Sequence, residues 1–551
     1  MPLSRREFLI DSLASGMFLR TGTGQKSQSS YPFRHGVASG DPLPDRVIIW
    51  TRISPQFDDE YISYRWLVCR DAALTDVVSE GYGHAGPERD HTAKHDISGL
   101  QPGEVYFYAF EARGQWSETG RTRTLPTGHI DHLRLAFTSC SNFAQGYFNV
   151  YREMAQRDDI DLVLHLGDYI YEYASLDASL NTGRIHEPAA EAVSLDDYRR
   201  RHACYKADPD SRAVHRRHPF IVIWDDHEVA NNAWRGGAAN HTDSTQGDWS
   251  ERLSAAVQAY YEWMPVRELP GADRYSLYRG YRFGDLLDLS VLDTRLAGRD
   301  APADTLEDRN RPERSLLGTQ QEQWLEDRLA SAQREGVCWK LMGQQVMVGQ
   351  LGTNEQPFNY DQWDGYPAAR ERLFDMVRRH DVDNWAVLTG DIHSSWAMTL
   401  EDDPFAEGPF GESQGRALGV EFVTPAVTSP GIPVKATAQL AASSLEALLP
   451  HLNFVDFYYR GFVLLDLTHE RMQAEWWVVD RVDSPRYRCD CLRALQVPSG
   501  EVVLLPAEPL APEVTGDDHH PSRDLAWLRR WTPDQSVATD GMVAASVAIE
   551  R

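Results

Sequence analysis

The sequence predicts an α/β (α+β) layered domain preceded by a smaller all-β domain of immunoglobulin or fibronectin type. Residues 33–126 carry runs such as "DRVIIWTRI", "YISYRWLVCR" and "EVYFYAFEA", broken by Pro, Gly and Asp. Aromatic and β-branched enrichment between turn residues is the pattern of strands. From about residue 132 apolar runs alternate with helical stretches. "LRLAFTS" is followed by the helical "FNVYREMAQRDD", then by "DLVLHLGD", "FIVIWDD", "CWKLMGQQ", "NWAVLTGD", "GVEFVTP", "GFVLLDLT" and "QAEWWVVD". Such alternation argues for buried strands in layers. A chain of 551 residues, 42% hydrophobic and 11% aromatic, can bury cores for two or three domains.

Residues 1–30 read as a signal and linker. "SRREFLIDSLASGMFL" sets Arg5 and Arg6 before an apolar stretch, which resembles a twin-arginine export signal. Asp11 inside the apolar part, and the lack of a clear Ala-x-Ala site, fit an amphipathic helix instead. The β-sandwich is expected over 31–127, with "HDISGLQPGEVYFYAFEARG" as its late hairpin. The layered domain follows over 130–485. Residues 486–551 form a C-terminal extension, in which "LLPAEPLAPEVTGDDHHPSRD" reads as an extended surface segment.

Bulk properties exclude some functions. A formal net charge of -27 repels a phosphate backbone, so no nucleic-acid-binding surface is expected. No run of eighteen apolar residues occurs, so no membrane span is expected. Six cysteines at 69, 140, 204, 338, 489 and 491 make neither a disulfide framework nor a Cys-x-x-Cys metal pair. A distant bridge from Cys489 or Cys491 stays open.

Four strand ends carry the chemistry. Cys140 ends the first. "DLVLHLGDYIYEY" supplies Asp168, Tyr169 and Tyr171; "FIVIWDDHEVANN" supplies Asp225, Asp226, His227, Asn231 and Asn232; "NWAVLTGDIHSSW" supplies Asp391 and His393. Each cluster directly follows residues that must be buried, and buried carboxylates and imidazoles are costly unless paired or bound to metal. Taken singly, Gly-Asp is a turn, Asp-Asp-His a helix N-cap, and a lone cysteine inert. The ordered set shifts the balance toward metal. Tyr171 lies three residues beyond Asp168, so a helical turn would aim both at one ion. Asp391 and His393 would share a face of an extended end. "YDQWDGYPAARERL", 360–373, is either pocket rim or plain helix packing.

These motifs, with "GVASGDPLPDRVIIWTRI" upstream, resemble the alkaline phosphatase D (PhoD-like) family of the calcineurin-like metallophosphoesterases. The likeness runs from about residue 33 to 480. It implies a metallophosphoesterase sandwich in which Cys140, Tyr171 and His393 hold a ferric ion (Fe3+). Asp168 would bridge two metals, and Asp391 would serve a second, calcium-like site with Asp226 and Asn231, Asn232 being an alternative. Hard carboxylates suit calcium, whereas thiolate, phenolate and imidazole suit iron. His227 would orient substrate or protonate the leaving group, and Arg184 in "NTGRIHEP" would grip a phosphate oxygen.

The implied activity is hydrolysis of a phosphate-ester substrate, mono- or diester, by a metal-activated hydroxide attacking in line. The family also implies export by the twin-arginine machinery to the periplasm or medium after folding and metal loading. A non-catalytic phosphate- or metal-binding secreted protein is the alternative.

Overall fold

Two sheets lie face to face in the computed structural model, which describes residues 31–175, 182–268, 271–352, 357–405 and 415–513. The first is ten-stranded. At its centre Leu133–Thr138, Leu162–His165 and Phe220–Val222 run parallel. The second is seven-stranded, with Leu287–Val291, Trp339–Gln344, Trp385–Thr389 and Ala417–Val423 parallel. Their shared core takes Leu135, Val163, Phe220 and Leu464 from the first and Leu289, Leu341, Leu388 and Phe422 from the second.

Period-two alternation explains why the inner strands read as unbroken apolar runs. Leu341 enters the core between the sheets, while its neighbour Met342 enters a second core under the helices Thr319–Arg334 and Pro367–Arg379, beside Leu325, Leu329, Leu373 and Phe374. On the outer face of the first sheet lie Asn149–Gln156, Leu195–Ala207, Pro209–Arg217 and Trp249–Trp263. They send Met154, Tyr198, Val214 and Val257 inward. Local chemistry fixes their starts. Ser194 and Asp197 close a capping box, and Asp208 caps a helix with Pro209 in its first turn. The result is the layered α/β architecture expected.

The N-terminal β region has its own core of Phe33, Val37, Ile49, Tyr64, Tyr108 and Phe110, packed between two sheets. One sheet is separate and centres on Ile62–Cys69 and Val105–Ala112. The other is not. Val37–Leu43 pairs in parallel with Phe220–Val222 through Gly40 and Phe220, so the strands Val37–Leu43, Arg46–Arg52 and Thr92–Ser98 extend the ten-stranded sheet. The hairpin read in "HDISGLQPGEVYFYAFEARG" is corrected here. Thr92–Ser98 pairs with Arg46–Arg52 and Val105–Ala112 with Ile62–Cys69, because the connection between them crosses from one layer to the other.

At the opposite edge Cys489–Pro498 pairs with Arg471–Val479. The chain then runs along the surface, held by Leu510 N–H donating to Glu475 and Gln473 donating to the Glu508 carbonyl. All six cysteines are free, which removes the distant bridge from Cys489 or Cys491. The twin-arginine stretch lies outside the described residues. Among the described residues no helix is long and apolar enough to cross a membrane.

An acid-sensitive lock ties the first strand to its neighbour. Asp466 is buried opposite Arg134 and accepts from Arg134 Nε at 2.9 Å and from His132 Nε2 at 2.6 Å. Burial opposes its charge, yet His132 and Arg134 pull its pKa down to about 2. A depressed carboxylate stabilises the fold above its unfolded pKa near 4 and loses that contribution as pH falls through the folded value. Thermal melts should therefore show Asp466→Asn less stable than wild type at pH 6, with the gap closing between about pH 4 and pH 2.

Candidate metal centre

The parallel strands of both sheets point their C-terminal ends at one edge, where open α/β sheets gather ligands. Leu133–Thr138 delivers Cys140, Leu162–His165 delivers Asp168 and Tyr171, Phe220–Val222 delivers Asp225 to His227, and Trp385–Thr389 delivers Asp391 and His393. The Gly-Asp pairs have a steric cause. A Cβ on Gly167, which sits at φ 101°, would come within 2.3 Å of Asp225 Cβ, and one on Gly390 within 2.9 Å of Ser139 Cβ.

The backbone at these ends is strained. Cys140, Asp168, Asp391 and His393 have φ of 62°, 54°, 61° and 55°. Non-glycine residues in the left-handed region cost about 1–3 kcal/mol each and cluster at functional sites. This overturns two expectations of local shape. Asp391 and His393 lie on a bend rather than an extended end, and the Asp168–Tyr171 stretch is non-helical. The left-handed turns send Asp391 and His393 to different neighbours.

One group joins Cys140, Asp168 and His393, whose ligand-capable atoms lie within 4.8 Å of one another. Tyr171 belongs with them. Its hydroxyl donates to Asp168 Oδ2 at 2.8 Å, meets His393 Nε2 at 3.1 Å and accepts from Ser429 Oγ at 2.7 Å. His393 Nδ1 donates to the Pro430 carbonyl at 3.2 Å, which fixes the tautomer and leaves Nε2 facing the cluster. Burial lowers its pKa to about 3, so the ring is neutral, as a metal ligand must be.

The second side of the site is acidic. Asp225, Asp226 and Asp391 form another such group, and Asp168, Asp226 and His227 a third. Asp168 therefore belongs to two of them. Arg295, fully buried, donates to Asp225, lies 3.4 Å from Asp226, and bonds Asp361 and Asp391 at 2.9 Å each. Gln362 Nε2 holds the other Asp391 oxygen at 2.7 Å. His227 Nδ1 bonds Glu172 at 2.7 Å, and its ring stacks on Tyr171 with centroids 4.2 Å apart. Glu228 accepts from the backbone N–H groups of Asp168, Tyr169 and Asp225, locking two strand ends together. Asp225 to Asn232 is a turn rather than a helix start, so the N-cap alternative is set aside.

The electrostatics fit cations. Burial, followed by neighbouring carboxylates, pushes Asp168 far above the carboxylate range. Burial also lifts Asp391 to about 6 and raises Cys140 and Tyr171 well above their ordinary values. Asp225 Oδ2 is buried without a hydrogen-bond partner, and Asp226 Oδ1 has only the long 3.4 Å approach of Arg295. Only Asp226 goes the other way; burial opposes its charge, but Arg295 and His227 pull it to about 2. Buried oxygens left orphaned beside a thiol and a phenol are what bound cations would satisfy, reversing each of the upward shifts.

Asp226 sits in the acidic group, while the Asn231 amide oxygen accepts from Tyr173 at 2.8 Å and its backbone N–H is held by Glu172. Asn232 offers its backbone N–H to Asp226. Arg184 is engaged elsewhere. Its guanidinium bonds Asp208 at 2.9 Å and the Phe143 carbonyl at 2.8 Å, and lies over the Phe143 ring.

Several residues escaped the sequence reading. Arg295 follows the apolar strand Leu287–Val291 in "LSVLDTRL", so the rule of polar residues after buried strands would have found it. Asp361 and Gln362 lie in the stretch read as rim or packing; they belong to the site. Arg460 has no comparable signal. Its guanidinium donates to the Tyr459 carbonyl at 2.6 Å and the His393 carbonyl at 3.4 Å, and burial lowers its pKa to about 10.

A layered sandwich with a buried acidic, thiol and imidazole cluster at its strand ends defines a metal-dependent phosphoester hydrolase. The family model of the PhoD-like phosphatases matches residues 135–476, and that of the PhoD-like phosphatase N-terminal domain matches 19–126. Alkaline phosphatase D of Bacillus subtilis (strain 168) is 37% identical over 476 residues, covering 83% of this chain and 79% of that protein. A solved structure described as "Structure of PhoD" superposes with a TM-score of 0.79 at 34% identity, covering 89% of this chain and 94% of that one. The chain belongs to the PhoD-like phosphatases and is a phosphoric ester hydrolase.

Proposed function

We propose that the chain hydrolyses phosphate mono- and diesters as an alkaline phosphatase, with two unlike ions side by side. Cys140, Asp168, Tyr171 and His393 would hold ferric iron; Asp226, Asn231 and Asp391, sharing Asp168, would hold calcium. The observation that carries this reading is that Asp168 belongs both to the group with Cys140 and His393 and to that with Asp226 and His227, and that Asp226 in turn joins the all-carboxylate group with Asp225 and Asp391. Soft and aromatic donors on one side and carboxylates on the other suit ions of different hardness. When bound, such ions lower the pKa of water and neutralise charge on a phosphoryl group.

The chain's own groups supply the rest. Glu172 orients His227 through Nδ1, leaving Nε2 on the side of Asp226, 4.0 Å away. Burial opposes its protonation, but Asp226, Glu172 and Asp168 raise its pKa well above the ordinary value. A charged imidazole held there donates a proton to the departing ester oxygen. His227→Asn should lower kcat by about 100-fold or more on poor leaving groups and far less on p-nitrophenyl phosphate, whose leaving group needs little protonation. Equal losses on both would give His227 a structural role.

Arg184, expected at the phosphate, better fits a positioning role, supporting the loop after Cys140 through Phe143 and Asp208. Arg460 lies beside His393, whereas Arg295 is taken up by four aspartates, so Arg460 is the better candidate for meeting a phosphate oxygen. Export of the folded, loaded chain through the twin-arginine machinery would place it in the periplasm or medium; Arg5→Lys with Arg6→Lys should retain it in the cytoplasm.

Elemental analysis of the purified protein beside its visible spectrum tests the whole reading. Iron near one equivalent with calcium, and a tyrosinate-to-iron colour lost in Tyr171→Phe, is expected. Colourless protein holding only zinc or manganese would overturn the iron assignment. Bound metal without turnover of either ester class would favour a non-catalytic binding protein.

A further inference from the structure

A second set of metal-type side chains lies at the opposite end of the strands. His129, Asp285 and His469 bring ligand-capable atoms within 4.8 Å of one another. Strand Leu133–Thr138 separates His129 from Cys140, and Leu287–Val291 separates Asp285 from Arg295. At about 3.3 Å per residue this places the set roughly 20 Å from the centre described above.

The arrangement is built by the backbone. Gly284 N–H donates to the Pro126 carbonyl at 3.2 Å and Asp285 N–H to the Gly128 carbonyl at 2.9 Å, while Ile130 N–H returns a bond to Asp285 Oδ1 at 3.2 Å. These bonds fix the linker carrying His129 against the turn carrying Asp285. Both imidazoles then address one carboxylate. His129 Nδ1 is 2.7 Å from Asp285 Oδ2, and His469 Nε2 is 3.5 Å from Oδ1 while donating to the Ile130 carbonyl at 3.2 Å, a bond that an ion would replace; the rings stack at 5.0 Å. Asp131 lies 3.2 Å from the other nitrogen of His129.

The charge balance is unusual for a surface cluster. The two carboxylates have the two histidines as their only ion-pair partners among the described residues, with no lysine or arginine. Two imidazoles and one or two carboxylates at these separations match the needs of a borderline divalent ion with metal–nitrogen bonds near 2.1 Å, and the exposed side leaves room for water to complete its shell. Calcium and magnesium, which take oxygen ligands, are poorly served.

We propose that His129, Asp285 and His469 form a peripheral site for one divalent transition-metal ion of the zinc, nickel or copper class. The ion would tie together the linker after the N-terminal sandwich, the turn before Leu287–Val291 in one sheet, and the turn after Arg460–Leu467 in the other. Its function is to clasp the two layers at the end remote from the reaction, and it is independent of the hydrolytic reading.

Equilibrium dialysis of the as-purified, metal-loaded protein against zinc, with elemental analysis, tests it. Wild type should take up one further equivalent and show a rise in Tm. The His129→Gln, His469→Gln double variant should lose both, while its ester hydrolysis without added zinc stays at the wild-type level. Copper in place of zinc should give an electron paramagnetic resonance spectrum with nitrogen couplings from two imidazoles, absent in the double variant. Failure to bind a further equivalent would overturn the proposal and leave the cluster as an ion pair of protonated His129. So would retention of that equivalent in the double variant, or a copper signal without nitrogen couplings.

Discussion

Replacing Asp168 by asparagine should abolish hydrolysis and deplete both halves of the proposed metal centre together. Asp168 is buried, bonds Tyr171, and belongs to the group with Cys140 and His393 as well as that with Asp226 and His227. An amide of the same shape keeps the packing but removes the charge that both proposed ions would share. Removing a partner outside the coordination shell already costs 10–100-fold in affinity or activity, so loss of a shared ligand should exceed about 100-fold in kcat. Elemental analysis of Asp168→Asn should show both metals depleted, with the chain still folded by circular dichroism. Retention of both metals with unchanged turnover would remove Asp168 from the bridging position.

Arg295→Met should be the most destabilising single change near the site. The guanidinium is fully buried and faces Asp225, Asp226, Asp361 and Asp391. Removing one partner of a buried ion pair leaves charge uncompensated and costs about 3–5 kcal/mol. Cations bound as proposed would share the same carboxylates, so the loss should be largest in chelator-treated protein and smaller after metals are restored. Thermal melts of the variant in both states measure this. An unchanged Tm in the chelated state would show that the aspartates are compensated otherwise.

The fold was legible where strands are buried on both faces. "LVLH", "LMGQ" and "WAVLT" are apolar throughout and end abruptly in polar residues, so strand and site position could be read together. That Cys140, Asp168, Asp226 and Asp391 gather at the strand ends was legible for the same reason. Their backbone was not, because a left-handed turn at a non-glycine residue has no local signal and is imposed by the packing of strand ends, as Gly167 against Asp225 shows. The partners of Arg184 could not be read from its segment, because an arginine in a short loop looks alike whether it meets phosphate or Asp208. Arg460 and Asp361 were hidden by distance in the chain, since nothing in their own segments announces their partners.

The pairing of Gly40 with Phe220 has a practical consequence for dissection of the chain. Cutting near residue 127 would strip Phe220–Val222 of its neighbour and leave its amides and carbonyls as a bare, apolar rim, the kind of surface that recruits foreign strands. The front and rear parts are therefore expected to express poorly when made apart, and the front part is unsuited to swing over the reaction centre as a lid.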